Sequence, residues 1–208
     1  MTIATYQPGP SDGIDTFLQL TEQGTSILLT GYAPTGGRVL IKFDLSNIPS
    51  PSTCISAVLS FWPLGGVSGN TWTAYSILSA NSSWTESGAT WTTKDGSTPW
   101  AGSDGCSTSG TDYNGTSIGS ITWANNNNEQ TLSLDTSVVQ NWFGASNTNY
   151  GIIFIPNSVG TGWSVFSSDY TDDAGKRPKL VVNYSYGTVQ RRSLSSLGAG
   201  IGKRQVQP

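Results

Sequence analysis

The stretch Arg38-Val-Leu-Ile-Lys-Phe-Asp-Leu-Ser-Asn-Ile-Pro49 decides the fold class. Val39, Ile41 and Phe43 fall on one side of an extended chain, and Leu40, Lys42 and Asp44 fall on the other. The period of two, stopped by Asn-Ile-Pro, predicts a β-strand with one buried face and a turn after it. Working outward, Ile55, Ala57, Leu59 and Phe61 make a second stripe of the same period. Further strands are predicted over 15–20, 26–30, 72–78, 119–123, 130–134, 150–155, 164–168 and 179–184. One short helix is predicted in Asp135-Thr-Ser-Val-Val-Gln-Asn-Trp-Phe-Gly144, capped by Asp135 or Thr136 and ended by Gly144 at positive φ. Some ten strands and a helical turn imply an all-β protein of two packed layers.

Composition agrees with this. Only 11% of the 208 residues are charged, and 25 are glycine, which suits short strands and tight turns better than helices. Apolar runs stay short of the roughly 18 residues of a membrane span. The start, Met1-Thr-Ile-Ala-Thr-Tyr-Gln-Pro8, has neither a basic opening nor an apolar stretch and does not read as a secretory signal. Residues 1–11 read as an extended arm. The span 96–119 is a long Gly/Ser/Thr-rich excursion that either carries function or hugs the surface of a sheet.

Charge is divided unevenly. Four of the ten basic residues, Arg191, Arg192, Lys203 and Arg204, follow Tyr184 with no acid among them, leaving six against 13 acids in the body. A body of net −7 without interleaved basic and aromatic residues speaks against nucleic-acid binding, whereas the +4 tail suits an acidic protein surface. Residues 185–208 are too poor in apolar side chains to fold alone. They read as an assembly contact in which Leu194, Leu197 and Ile201 are apolar pegs and the four cations meet acidic patches on a neighbouring subunit.

Five islands carry a resemblance: Arg38 to Pro49, Asp15-Thr-Phe-Leu18, Trp84-Thr-Glu86, Thr90-Trp91, and Arg177-Pro-Lys-Leu-Val-Val-Asn-Tyr184. With these pieces in the family's order over about residues 12–184, the chain resembles the DNRLRE-type β-sandwich modules. These are grouped with a family of carbohydrate-binding modules and are appended to many secreted and surface proteins. The resemblance implies a two-layer antiparallel sandwich of jelly-roll type and a non-catalytic role.

The chemistry on offer is narrow. The chain has no histidine, which excludes Ser-His-Asp and Cys-His nucleophile systems and histidine-held metals. Glycoside hydrolysis needs two positioned carboxyl groups, and Glu22, Glu86 and Glu129 are scattered. An enzyme is therefore not expected. Glu86 is expected to accept backbone N–H groups or the Arg38 guanidinium. Asp12 with Asp15, and Asp169 with Asp172 and Asp173, read as solvated turn acids, with a structural calcium as the alternative. Cys54 and Cys106 either close one long loop, worth ~4 kcal/mol in the chain-entropy model, or stay as buried thiols. The sequons at Asn81, Asn114 and Asn183 are no more than chance supplies in so Asn-rich a chain.

Eight tryptophans invite a carbohydrate reading, since an indole face stacks on the C–H face of a sugar; the competing reading is core packing. Trp84, Trp91 and Trp142 belong to the packing set, and Trp62 is undecided. Trp72, Trp100, Trp123 and Trp163 border turns, so they are expected to show a face to solvent and are the candidate sugar contacts. Two functions follow. One is a structural or adhesive subunit of an extracellular particle or filament, such as a virion decoration, fibre or coat protein. The other is a carbohydrate-binding module of a secreted polysaccharide-degrading enzyme.

Overall fold

The computed structural model describes residues 1–19, 27–30, 36–124, 127–145, 147–158 and 162–186. The tail residues Arg191, Arg192, Leu194, Leu197, Ile201, Lys203 and Arg204, and the turn at Glu22, lie outside the described residues. The protein is mostly β, with antiparallel sheets and one short α-helix.

The first sheet has the order β1 (Thr2–Tyr6), β12 (Lys179–Tyr186), β5 (Ser52–Phe61), β9 (Gln130–Leu134). A second has the order β2 (Ile14–Leu18), β4 (Arg38–Lys42), β10 (Ile152–Pro156), β7 (Thr71–Ser76), β8 (Gly119–Thr122). The third holds β3 (Ile27–Thr30), β11 (Trp163–Phe166) and β6 (Pro63–Gly66). Three sheets stand where two layers were expected. Within residues 1–11, read as an extended arm, Thr2 to Tyr6 pair in register with Tyr184 to Leu180 and complete the first sheet. Strand β6 escapes the pattern because Pro63, Gly65 and Gly66 hide it.

The main core unites all three sheets through Phe17, Ile41, Leu59, Trp72, Trp163 and Leu180, among others. The expected stripe on β5 is right for Ala57, Leu59 and Phe61 but wrong for Ile55, which is exposed while Cys54 turns inward. A register shift opposite Asn183 and Tyr184 is the cause. One extra residue on β5 reverses the alternation beyond it.

Strand β4 departs from its expected single buried face. Val39 and Ile41 enter the main core, and Leu40 is equally buried in a second one with Leu18, Ile153, Ile77, Trp84, Ala89, Trp100 and Cys106. The second core forms because the long excursion folds back over the outer face of the five-stranded sheet. Arg38 anchors it, donating to the carbonyl of Gly105 and to Ser107 Oγ (2.6 Å), with its guanidinium 5.3 Å from the centre of the Trp91 ring.

Helix α1 (Thr136–Gln140) is capped by Asp135, whose carboxylate accepts Ser137 N–H at 2.8 Å. It faces the core with Val139, and Gly144 after it has φ 76°. Both cysteines are free. Cys54 sits in the main core and Cys106 in the second, so of the two alternatives it is the buried thiols that the structure has.

Candidate functional site

The four tryptophans expected at the surface are interior: Trp72 and Trp163 are 0% exposed, Trp123 1% and Trp100 4%. Parity explains the correction. Trp72 and Trp163 each stand two residues before an inward side chain, Ala74 and Val165, and Trp123 stands two after Ile121. Neighbouring turns face water, but the strand period carries the rings inside. Trp100 packs in the second core and donates its indole N–H to Thr90 O at 3.0 Å. A sugar-stacking face needs solvent access, and none of the four offers one.

A concave site lies elsewhere, where β1 ends beside the end of β4. Its main hollow, about 390 Å³, is lined by Thr5, Tyr6, Gln7, Pro8, Asp12, Lys42, Phe43 and Asp44. An adjoining hollow of about 310 Å³ shares Lys42, Phe43 and Asp44 and adds Ile14, Asn147 and Asn149. Local bonds set this lining. Asp12 accepts Gly9 N–H at 2.7 Å and Asp44 accepts Ser46 N–H at 2.9 Å. Asn149 holds Phe43 O at 2.6 Å and fixes the floor.

The Tyr6 hydroxyl donates to Asn47 Oδ1, and its pKa is pushed up to about 12, first by burial and then by Tyr184 and Asp44. Hydrogen bonds from Ser46 hold the Asp44 carboxyl below its ordinary value. The cleft therefore presents fixed carboxylates, one ammonium group and a half-buried phenol ring. Such a set offers acceptors and donors to hydroxyl groups. Sequence reasoning missed the site because Tyr6 lay in the supposed arm, and Lys42 and Asp44 read as an ordinary wet strand face.

A different group of acids surrounds one buried member. Asp15, on β2, is 1% exposed, and its Oδ2 accepts Ser168 N–H at 2.9 Å. Glu86 accepts Asp15 N–H at 3.2 Å, as expected of a backbone acceptor, while Arg38 bonds elsewhere. Burial raises the Asp15 pKa to about 7; Ser168 tempers the rise, and Glu86 and Asp169 add to it. Burial also raises Glu86 and Asp169. Asp173, by contrast, caps a 3-10 turn at Gly175 N–H (3.0 Å) and pairs with Lys176 at 3.9 Å.

The raised Asp15 pKa predicts a pH effect. The folded chain keeps a proton that the unfolded chain releases above its ordinary value of 3.8. This stabilisation is complete below pH 3.8 and is lost as pH rises to about 7. The loss is roughly 4 kcal/mol at most, at 1.36 kcal/mol per pKa unit. Urea unfolding in EDTA buffer should show the wild type losing stability between pH 5 and 8, and Asp15→Asn losing clearly less. Parallel curves for the two proteins would refute this.

Of the three sequons, Asn81 is fully buried and its amide donates to Asp112 Oδ1 at 2.9 Å, and Asn183 bonds Ser56 Oγ at 2.7 Å within β12. No helix of the described residues is long and apolar enough to cross a membrane. Among the described residues no group of three or more His, Cys, Asp or Glu side chains is arranged to hold a metal by itself. No protein-family model matches the chain, and no curated protein matches it either.

Proposed function

We propose that this chain is a non-catalytic binding module, displayed on an extracellular particle or filament of virion type, that holds a neutral glycan in the cleft between β1 and β4. The cleft carries this reading. It sets the ring of Tyr6 beside Asp12, Asp44 and Lys42, so an aromatic surface adjoins acceptors and a donor for sugar hydroxyls. The sheets support a jelly-roll sandwich if the five- and three-stranded sheets are taken as one layer facing the four-stranded sheet. Contacts of β3 with β2, β4 and β10 favour that grouping. The family resemblance points the same way. The basic segment 187–208 serves as the contact with neighbouring subunits, its cations meeting acids of the next body.

A glycan array probed with the purified protein should retain at least one neutral glycan. Lys42→Ala and Asp44→Ala should each weaken that glycan about tenfold or more, the equivalent of one lost charge-assisted hydrogen bond. Asp44 is exposed and Lys42 half-buried, so both variants should fold. Deleting residues 187–208 should abolish assembly and leave glycan affinity unchanged. An array blank for the wild type would end the glycan reading; a truncated chain that still assembles would end the tail reading. The same cleft favours a second reading, a carbohydrate-binding module of a secreted enzyme. Imaging of native material separates the two by showing arrayed or free protein.

A further inference from the structure

We propose that Asn114-Gly115 is a self-modification site, where the chain converts asparagine to isoaspartate in water and so loosens the join between β7 and β8. It is the single Asn-Gly pair of the sequence. Asn114, Gly115, Thr116 and Ser117 are all exposed, on the loop that leads from Tyr113, packed on the second core, into β8. That exposure separates Asn114 from the other two sequon asparagines. Asn81 is fully buried, and Asn183 is engaged within β12.

The loop supplies what the reaction needs. The nucleophile is the backbone nitrogen of Gly115, and among the described residues nothing accepts its N–H. Glycine carries no side chain to hinder the attack, and a Cβ at this position would meet Ser109 Oγ at 2.8 Å. The electrophile is the side-chain carbonyl carbon of Asn114, whose Oδ1 already accepts Thr116 N–H at 3.0 Å. Negative charge gathers on that oxygen as the nitrogen attacks. The donor therefore stabilises the transition state more than the resting amide.

Hydroxide takes the Gly115 proton, the nitrogen bonds to Asn114 Cγ, and the Cγ–Nδ2 bond breaks. The leaving amide nitrogen takes a proton from water and departs as ammonia. Water then opens the cyclic imide. Cleaving the new bond gives aspartate, and cleaving the original peptide bond gives isoaspartate, in which the chain runs through Cγ. Nothing is oxidised or reduced. Isoaspartate adds a carbon to a backbone span pinned on both sides, because Asn114 N–H holds Ser76 O at 2.8 Å and Ile118 N–H holds Ala74 O at 2.8 Å. The second of these bonds sits just before Gly119 pairs with Ala74, where β8 begins. The added length acts on that start.

The test keeps the full chain in warm, mildly alkaline buffer and follows it by peptide mapping and isoaspartyl-specific methylation. Asn114 should convert before every other asparagine, with isoaspartate exceeding aspartate, and at least as fast as in the same chain unfolded in urea. Gly115→Ala should slow the conversion about tenfold or more. In the converted fraction the Ile118 amide should exchange its hydrogen about tenfold faster. Asn114→Asp brings the charge without the added carbon and should keep wild-type protection. An Asn114 that stays intact while the unfolded chain converts would overturn the proposal. So would a rate that Gly115→Ala leaves unchanged, or a converted protein in which Ile118 is protected as before.

Discussion

Trp123→Ala is expected to lower the free energy of unfolding by about 3–5 kcal/mol, read from urea curves. The ring is 1% exposed and stacks on Trp163 at 5.5 Å with an interplanar angle of 16°. It meets Trp72 edge to face at 4.8 Å and Phe61 at 6.1 Å. Phe61 in turn contacts Phe154 at 5.5 Å, so five rings share one centre. Removing the middle ring leaves a cavity that strands of three sheets must close together, which limits relaxation. Each aromatic pair also adds ~0.5–1.5 kcal/mol beyond its buried area.

One feature works against the cluster. Among the described residues the indole N–H groups of Trp72, Trp123 and Trp163 have no hydrogen-bond partner. Trp123→Phe, which keeps a ring and deletes one unpaired donor, should therefore lose less than half of what alanine loses. An alanine variant within about 1 kcal/mol of wild type would show that the ring does not fill the core. Since a domain this size holds only about 5–15 kcal/mol in all, the alanine protein should also yield little soluble material.

These rings show where sequence reading succeeds and where it stops. The alternation over 38–44 located β4 within two residues, because burying apolar side chains on a pleated strand leaves a period that survives in the letters. Asp135 declared its cap for the same kind of local reason. Burial of Trp72, Trp123 and Trp163 depends on parity at strand ends, and a neighbouring glycine turn masks it. The outward Ile55 depends on a bulge against β12, a partner more than a hundred residues away. The cleft is less legible still. Tyr6 and Asp44 meet only because β1 completes a sheet with β12, and nothing local to either residue announces that pairing.

Asp112→Ala should release the second core while the first stays folded. Asp112 is 0% exposed and gathers four donors. Its Oδ1 accepts Asn81 Nδ2–H at 2.9 Å and Gly102 N–H at 2.8 Å, and its Oδ2 accepts Ser103 N–H at 3.2 Å and Thr108 N–H at 2.8 Å. Burial alone would raise its pKa, yet these donors hold it below the ordinary value, so the group is an anion solvated by the loop itself. Asn81 extends the network by accepting Ala101 N–H at 3.0 Å.

Alanine would strand those donors, at ~1–3 kcal/mol for each that water cannot reach. A net loss of about 3 kcal/mol in the local opening equilibrium corresponds to roughly a hundredfold more open loop. Cys106 reports on it. The thiol is fully buried in the second core, and burial, with Asp112 adding to it, raises its pKa, so it should resist thiol reagents in the wild type. In Asp112→Ala its labelling should accelerate about a hundredfold while Cys54, in the main core, labels at its former rate. Equal acceleration at both cysteines would mean that the two cores open as one unit, and no acceleration would mean that Arg38 and Trp91 hold the loop without Asp112.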